Sequence, residues 1–353
     1  PKFFISWDVL DRRLELGRWI VLSGSFDKTV RIWDVDVGHS IGVLSGDHEG
    51  PVRNVAVDIA AKTALSASGD GVVCVWDIQK VSCLNSYLSG QNGGVNTLDV
   101  DFDLQMAVTG TSIGKLCLWD IEAMACTQEF DAHPGSRTSC CQTHFPKRRV
   151  VTGGYDGRVC YWDIESMTCI STFDEHTAPI TALVVHFQNQ KVLIGAEDGL
   201  ILQWDMQSGE KVGAFEGHAD RINVMKIDED WTCLVTGSDD ESIGVWDMST
   251  MQLLATLEGH TMPVRDIAVD FKQQIVVSAA DDGDLRVWNM QSQLCEHILS
   301  GHSDRVTCVQ VHWEKKRAVS GSRDCTLRVW NLESFTEENC FFGHSAGIAT
   351  LKG

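Results

Sequence analysis

Trp followed by Asp or Asn recurs at Trp33, Trp76, Trp119, Trp162, Trp204, Trp246, Trp288 and Trp330, with spacings of 43, 43, 43, 42, 42, 42 and 42 residues. A period of that size, held over nearly the whole chain, restricts the fold to a repeat array. Other residues keep step with the tryptophans. Six positions ahead of each Trp stand Asp27, Asp70, Ile113, Asp156, Asp198, Asp240, Asp282 and Asp324. Four positions before those stand Ser23, Ser66, Thr109, Thr152, Ile194, Thr236, Ser278 and Ser320. A His lies 28 or 29 residues ahead of the Trp at His48, His133, His176, His218, His260 and His302, and the Trp119 unit has Gln91 in that place.

Between these markers the apolar pattern has period two. VRDIAVDF (264–271), QIVVSAAD (274–281), LRVWN (285–289) and LCEHILS (294–300) read as four short strands separated by turns. No segment has a convincing helical period. Four strands in about 42 residues make one propeller blade. With its Gly-His, Ser/Thr-Gly-Ser-x-Asp and Trp-Asp markers, the chain resembles the WD-repeat (β-transducin repeat) family.

That resemblance implies an all-β, eight-bladed propeller of four-stranded antiparallel blades, strands a to d running outward from the axis, in one domain over 1–353. Residues 1–18 form an extension or irregular strand in this reading. The resemblance also implies a hydrogen-bonded tetrad of Asp, His, Ser/Thr and Trp in each unit. The expected sets are His48, Ser66, Asp70, Trp76; His133, Thr152, Asp156, Trp162; His218, Thr236, Asp240, Trp246; His260, Ser278, Asp282, Trp288; and His302, Ser320, Asp324, Trp330. The Trp119 unit lacks His and Asp, which implies a looser blade, and Ile194 breaks the chain of hydrogen bonds in the Trp204 unit.

The two ends each hold half a unit. GHSAGIATLKG (343–353) supplies a Gly-His and one strand, whereas WIVLSGSFDKTVRIWD (19–34) supplies strands b and c. Joined, they complete a blade whose tetrad is His344, Ser23, Asp27 and Trp33, and the ring closes without a free sheet edge. A rival assignment takes FFISWDVL (3–10) as the inner strand, at the cost of a longer turn, DRRLELG.

Gly343-His344-Ser345-Ala346-Gly347 also satisfies the G-x-S-x-G pattern of a hydrolase nucleophile elbow. No helical pattern follows Ser345, no acid or His follows it, and similar loops recur as GHAD, GHTM and GHSD. The match is therefore a repeat loop, and no catalytic residue is assigned. GTSIGK (110–115) falls one residue short of a phosphate loop and sits in a b–c turn. His144, His186 and His312 end strand a where other units have Asp58, Asp101, Asp228 and Asp270. Falling one per blade, they read as turn residues rather than metal ligands. No cofactor and no metal are expected.

The net charge of −20 argues against nucleic acid and anionic membranes, and no run of about 18 apolar residues suggests membrane insertion. Among the 13 cysteines, Cys83, Cys126, Cys169 and Cys295 keep one offset from the Trp, which places them in different units, apart rather than paired. There is no C-x-x-C, so free thiols and a cytoplasmic or nuclear location are expected.

Acids thicken in the later b–c turns: Glu197-Asp198, Asp239-Asp240-Glu241 and Asp281-Asp282 with Asp284. Against them stand Arg137, Arg221 and Arg305 just before strand a, and Arg53 and Arg265 at its start. Family geometry implies that these arginines open onto one face, suited to clamping a partner's carboxylate or phosphate. Pairing with neighbouring turn acids such as Asp239, Asp281 and Asp70 is the alternative. The expected function is a non-enzymatic scaffold for protein partners, within a larger complex. Narrower readings are a ubiquitin-ligase subunit recognising acidic or phosphorylated peptides and a signalling β-subunit-like adaptor.

Overall fold

A computed structural model describes residues 18–88, 93–123 and 125–353. The described residues form eight sheets, each of four antiparallel strands in meander order. One short 3-10 turn, Phe145–Lys147, interrupts the strands. The unit at 264–300 shows why each repeat folds as it does. Strand a (β24, Val264–Asp270), b (β25, Ile275–Ala280), c (β26, Asp284–Asn289) and d (β27, Leu294–Ser300) follow the alternation in sequence. Strand b is almost wholly buried, because sheets pack against it on both faces, whereas d alternates and faces solvent.

The Asp or Asn after each Trp has a turn to hold. Asp77 Oδ1 accepts from the Lys80 amide at 2.8 Å, Asp120 from Ala123 at 2.7 Å and Asn331 from Ser334 at 3.0 Å. Both residue types offer an acceptor to the c–d turn, which explains why either serves.

The closing blade joins the two ends of the chain. Strand β32 (Ile348–Lys352) pairs antiparallel with β1 (Ile20–Ser25), followed by β2 (Val30–Asp34) and β3 (His39–Leu44). His344 Nε2 meets the Ser23 hydroxyl at 2.7 Å and Nδ1 meets Asp27 Oδ2 at 2.7 Å. The Trp33 indole donates to Ser23 at 2.7 Å. Burial holds His344 below the usual imidazole range. Burial opposes ionisation of Asp27, yet hydrogen bonds from Thr29, the Ser345 amide and His344 pull its carboxyl below normal. One apolar cluster spans this seam, with Val21, Trp33 and Val35 packed among Val319, Val329, Phe341 and Ile348. The rival inner strand, 3–10, lies outside the described residues; the inner place of this sheet belongs to β32.

The tetrads differ from blade to blade, and the expected His48, Ser66, Asp70, Trp76 set is incomplete. Complete chains of contacts run through His133, His218, His260 and His302 to their Asp and Ser/Thr partners at 2.7–3.2 Å. In the Trp76 blade, His48 reaches Ser66 at 2.7 Å but stands 3.9 Å from Asp70, whose carboxylate instead accepts the Glu49 and Gly50 amides. Trp119 keeps its bond to Thr109 at 2.9 Å, while Gln91 lies outside the described residues.

In the Trp204 blade, Ile194 is fully buried, and both His176 nitrogens and the Trp204 indole nitrogen lack hydrogen-bond partners among the described residues. Ile194→Thr supplies the missing hydroxyl for the loss of two apolar carbons, the Cδ1 methyl and the Cγ1 methylene whose place the hydroxyl takes. Two recovered hydrogen bonds outweigh that loss, so urea unfolding should show a gain of about 1 kcal/mol. A lowered midpoint would contradict this account.

Candidate functional site

Every strand a carries a bulge at its start. Val264 pairs with Ala280 and Asp266 with Ala279, skipping Arg265, and the same skip passes over Arg53. A bulge re-aims the extra side chain, which here sends these arginines to the rim formed by the d–a loops and b–c turns. At that rim each loop residue lies beside the first residue of a turn. The Tyr155 amide donates to the Arg137 carbonyl, Asp239 to Arg221, Arg323 to Arg305 and Phe26 to Gly347, at 2.8–2.9 Å.

Charge divides this rim in two. Arg265 is held by Asp281 through two bonds, at 2.9 and 2.6 Å, and by Asp239 at 2.7 Å. The hydrogen bonds to Asp281 raise its already high pKa. Arg305 approaches Asp281 at 3.3 Å and Arg221 approaches Glu197 at 3.4 Å. Three of the five sequence-selected arginines thus face neighbouring turn acids. Among the described residues Asp70 takes no arginine; it accepts the Glu49 and Gly50 amides of its loop.

The other two differ. Arg53 bonds the Asn96 side-chain oxygen, and Arg137 lies 5.0 Å over the Tyr155 ring. Neither has a carboxylate partner among the described residues. Burial and the charge of Arg137 both draw Arg53 below the ordinary guanidinium range. Nearby on the ring, Arg323 lies 5.3 Å over the exposed Phe26 ring. Sequence reasoning missed Phe26, Tyr155 and Arg323. All three occupy the position seven before a Trp, the column that holds Glu197, Asp239 and Asp281 in the acidic half.

Comparison with known proteins agrees with the fold. The model "WD domain, G-beta repeat" matches residues 15–34, 38–77, 251–289 and 293–331. The model "Nucleolar protein 10-like, N-terminal domain", a β-propeller, matches 61–245. The chain belongs to the WD-repeat β-propeller family. A search of curated proteins finds no match. Among solved structures, the computationally designed Ika8 protein is similar at 29% identity, covering 88% of this chain and 93% of that one, with a TM-score of 0.78. WD-repeat propellers generally mediate protein–protein interaction and are generally non-enzymatic.

The rival chemistries find no support in this WD-repeat ring. Ser345 precedes a strand rather than a helix, and both nitrogens of the adjacent His344 are engaged by Ser23 and Asp27. Lys115 of GTSIGK pairs with Glu129 across its hairpin. His144 and His186 accept the Lys147 and Asn189 amides at 3.2 and 3.0 Å, the turn-holding role that Asp58 plays toward Ala61 at 2.9 Å. A central channel of about 880 Å³ is lined by strand-a residues including Lys226, Asp266, Gln310 and Lys352. Its half-buried Asp266 accepts the Val309 and Ile267 amides, which gives that carboxylate a structural role. No helix of the described residues is long and apolar enough to cross a membrane.

All 13 cysteines are free. No disulfide joins the equivalent cysteines of different units.

Proposed function

We propose that this WD-repeat ring is a non-enzymatic scaffold that receives an acidic segment of a partner protein, carboxylate or phosphate, at the rim between Arg53 and Arg137. The observation that carries this reading is that these two guanidiniums lack a carboxylate partner among the described residues, on a chain of net charge −20. A protein so rich in acids offers many internal partners. Arginines left without one bind an incoming anion at little cost in broken ion pairs. Tyr155, Phe26 and Arg323 extend the surface with stacking area. Arg221, Arg265 and Arg305 hold the acidic half of the rim in shape and set its limit. Selection of acidic or phosphorylated peptides is also the property that a ubiquitin-ligase substrate subunit requires. Similarity to a nucleolar protein's N-terminal domain favours the nucleus over the cytoplasm as its location.

The test is binding to an array of acidic, phosphoserine and neutral peptides. Joint replacement Arg53→Glu and Arg137→Glu should weaken acidic-peptide binding by at least about tenfold. Lys272→Glu, the same kind of charge change on an exposed a–b turn, should leave it unchanged. Equal binding by the double variant and the parent would refute the assignment.

A further inference from the structure

The meander order of each sheet puts the d–a loops and b–c turns at one end of the ring and the a–b turns at the other. At the end of strand a an Asp or His is followed by an apolar residue, at Ile59, Phe102, Phe145, Phe187, Phe271 and Trp313. The Trp246 unit departs from this column, with Glu229 in that place. Where the strand-end residue is His, its imidazole packs edge-on against an aromatic ring of the following blade. His144 meets Phe187 at 5.3 Å between ring centres, His186 meets Trp231 at 5.0 Å and His312 meets Trp19 at 5.5 Å. Between the last two of these seams stand Asp228 and Asp270, shorter side chains that turn back to their own a–b turns. Asp228 accepts the Thr232 and Cys233 amides, and Asp270 the Lys272 and Gln273 amides, at 2.7–3.0 Å.

A cavity of about 560 Å³ lies there, lined among others by Asp228, Glu229, Asp230, Phe271, Trp313 and Glu314. Trp313 also lines an adjoining cavity of about 180 Å³, together with Ile275, Leu332 and Phe335. Phe271 and Trp313 each pack against a core cluster yet stay only partly buried. The result is an apolar groove with an acidic border.

Charge decides what such a groove takes. Glu229, Asp230 and Glu314 are exposed and have no cation partner among the described residues. The cations next to Glu314 in sequence, Lys315 and Lys316, are held by Asp36 and Glu333 at 2.9 and 2.8 Å. Among the described residues Lys272 is the one cation lining the larger cavity. Asp58 with Phe102 and Asp101 with Phe145 repeat the pairing of acid and aromatic, but the turns there carry Lys62, Lys147 and Arg148.

We propose that this groove docks a basic segment of a partner protein, with a cationic side chain over the Trp313 ring among these carboxylates and an aliphatic neighbour in the smaller cavity. An aromatic face beside unpaired acids attracts a guanidinium or ammonium twice over, through the ring quadrupole and through charge-assisted hydrogen bonds. The apolar walls exclude water and strengthen both attractions. This site is separate from the arginine rim, at the opposite end of the ring.

The experiment titrates the full chain with a short labelled peptide carrying two arginines around a leucine, read by fluorescence anisotropy. A copy with citrulline in place of each arginine keeps the shape and removes the charge. The arginine peptide should bind at least about tenfold more tightly than the citrulline copy. Glu314→Lys should weaken it about fivefold or more, and Lys272→Glu should tighten it about threefold. Trp313→Leu removes the ring face at a place where Ile59 shows that an aliphatic side chain fits, and it should weaken binding about fivefold. Glu241→Lys is the control: the same charge change at the other end of the ring, in a turn place that Lys28 already holds at φ 71. It should leave binding within about twofold of the parent. Equal affinity for the arginine and citrulline peptides would overturn the proposal. An equal loss from Glu314→Lys and Glu241→Lys would also overturn it, by reducing the effect to overall charge.

Discussion

Deleting residues 343–353 should abolish cooperative unfolding or lower stability by more than about 5 kcal/mol, a large share of what a domain possesses. The segment supplies the inner strand of the closing blade, pairing Leu22 with Lys352, Ser23 with Leu351 and Gly24 with Thr350. It buries Ile348 and Leu351, each accounting for about 1.5–3 kcal/mol of apolar transfer. Its removal also strips partners from buried polar groups. Ser23 and Asp27 lose His344, and Ser25 loses the Ala346 and Gly347 carbonyls at 2.9 and 3.0 Å. Each orphaned group costs roughly 1–3 kcal/mol. His344→Ala isolates part of the effect and should cost about 2–4 kcal/mol. Urea unfolding followed by tryptophan fluorescence measures both, and a truncated chain that unfolds like the parent would show that the ring is not closed in this way.

Gly114→Ala should be among the most damaging single-methyl additions, at roughly 3 kcal/mol or more. Gly114 sits in a b–c turn at φ +86, but that conformation is not the main obstacle. Lys28, Glu241 and Cys325 hold the same turn place at φ 70–72 with side chains present. The obstacle is the neighbouring loop, since a Cβ on Gly114 would collide with the His133 carbonyl oxygen. The Gly114 carbonyl also accepts the Ala132 and His133 amides at 2.9 Å, so the loop cannot retreat without losing them. That loop carries His133 into the Thr152, Asp156 and Trp162 tetrad, which would be displaced with it. Gly283 gives the comparison: its Cβ would stand 3.2 Å from the His302 carbonyl, and Gly283→Ala should cost only about 1 kcal/mol. Equal losses at the two glycines would remove the steric argument.

The blade count and the closing tetrad could be read from sequence because each marker answers a local need at a fixed offset. Trp33 needs an acceptor, Ser23 provides it ten residues earlier, and the strand-b to strand-c hairpin fixes that distance. His344 was assignable because the unit it opens lacks strands b and c, and the first unit lacks a His. What the offsets hide is contact between elements whose separation is set by the ring. Arg265 meets Asp239 of the preceding blade, 26 residues away, because the bulge at Val264 and Asp266 redirects it. No residue type announces that bulge.

Phe26, Tyr155 and Arg323 share a column without a common chemistry, so the repeat pattern passes over them. The role proposed for them emerges only once that column is seen as one rim beside Arg53 and Arg137.

Hydrogen exchange at Ile348–Lys352 in the intact chain tests most directly whether the two ends of the chain meet in one blade. The closed ring predicts that these inner-strand amides exchange only with global unfolding, with protection matching that of their partners Leu22–Ser25. Fast exchange at 348–352 while the other blades stay protected would contradict it.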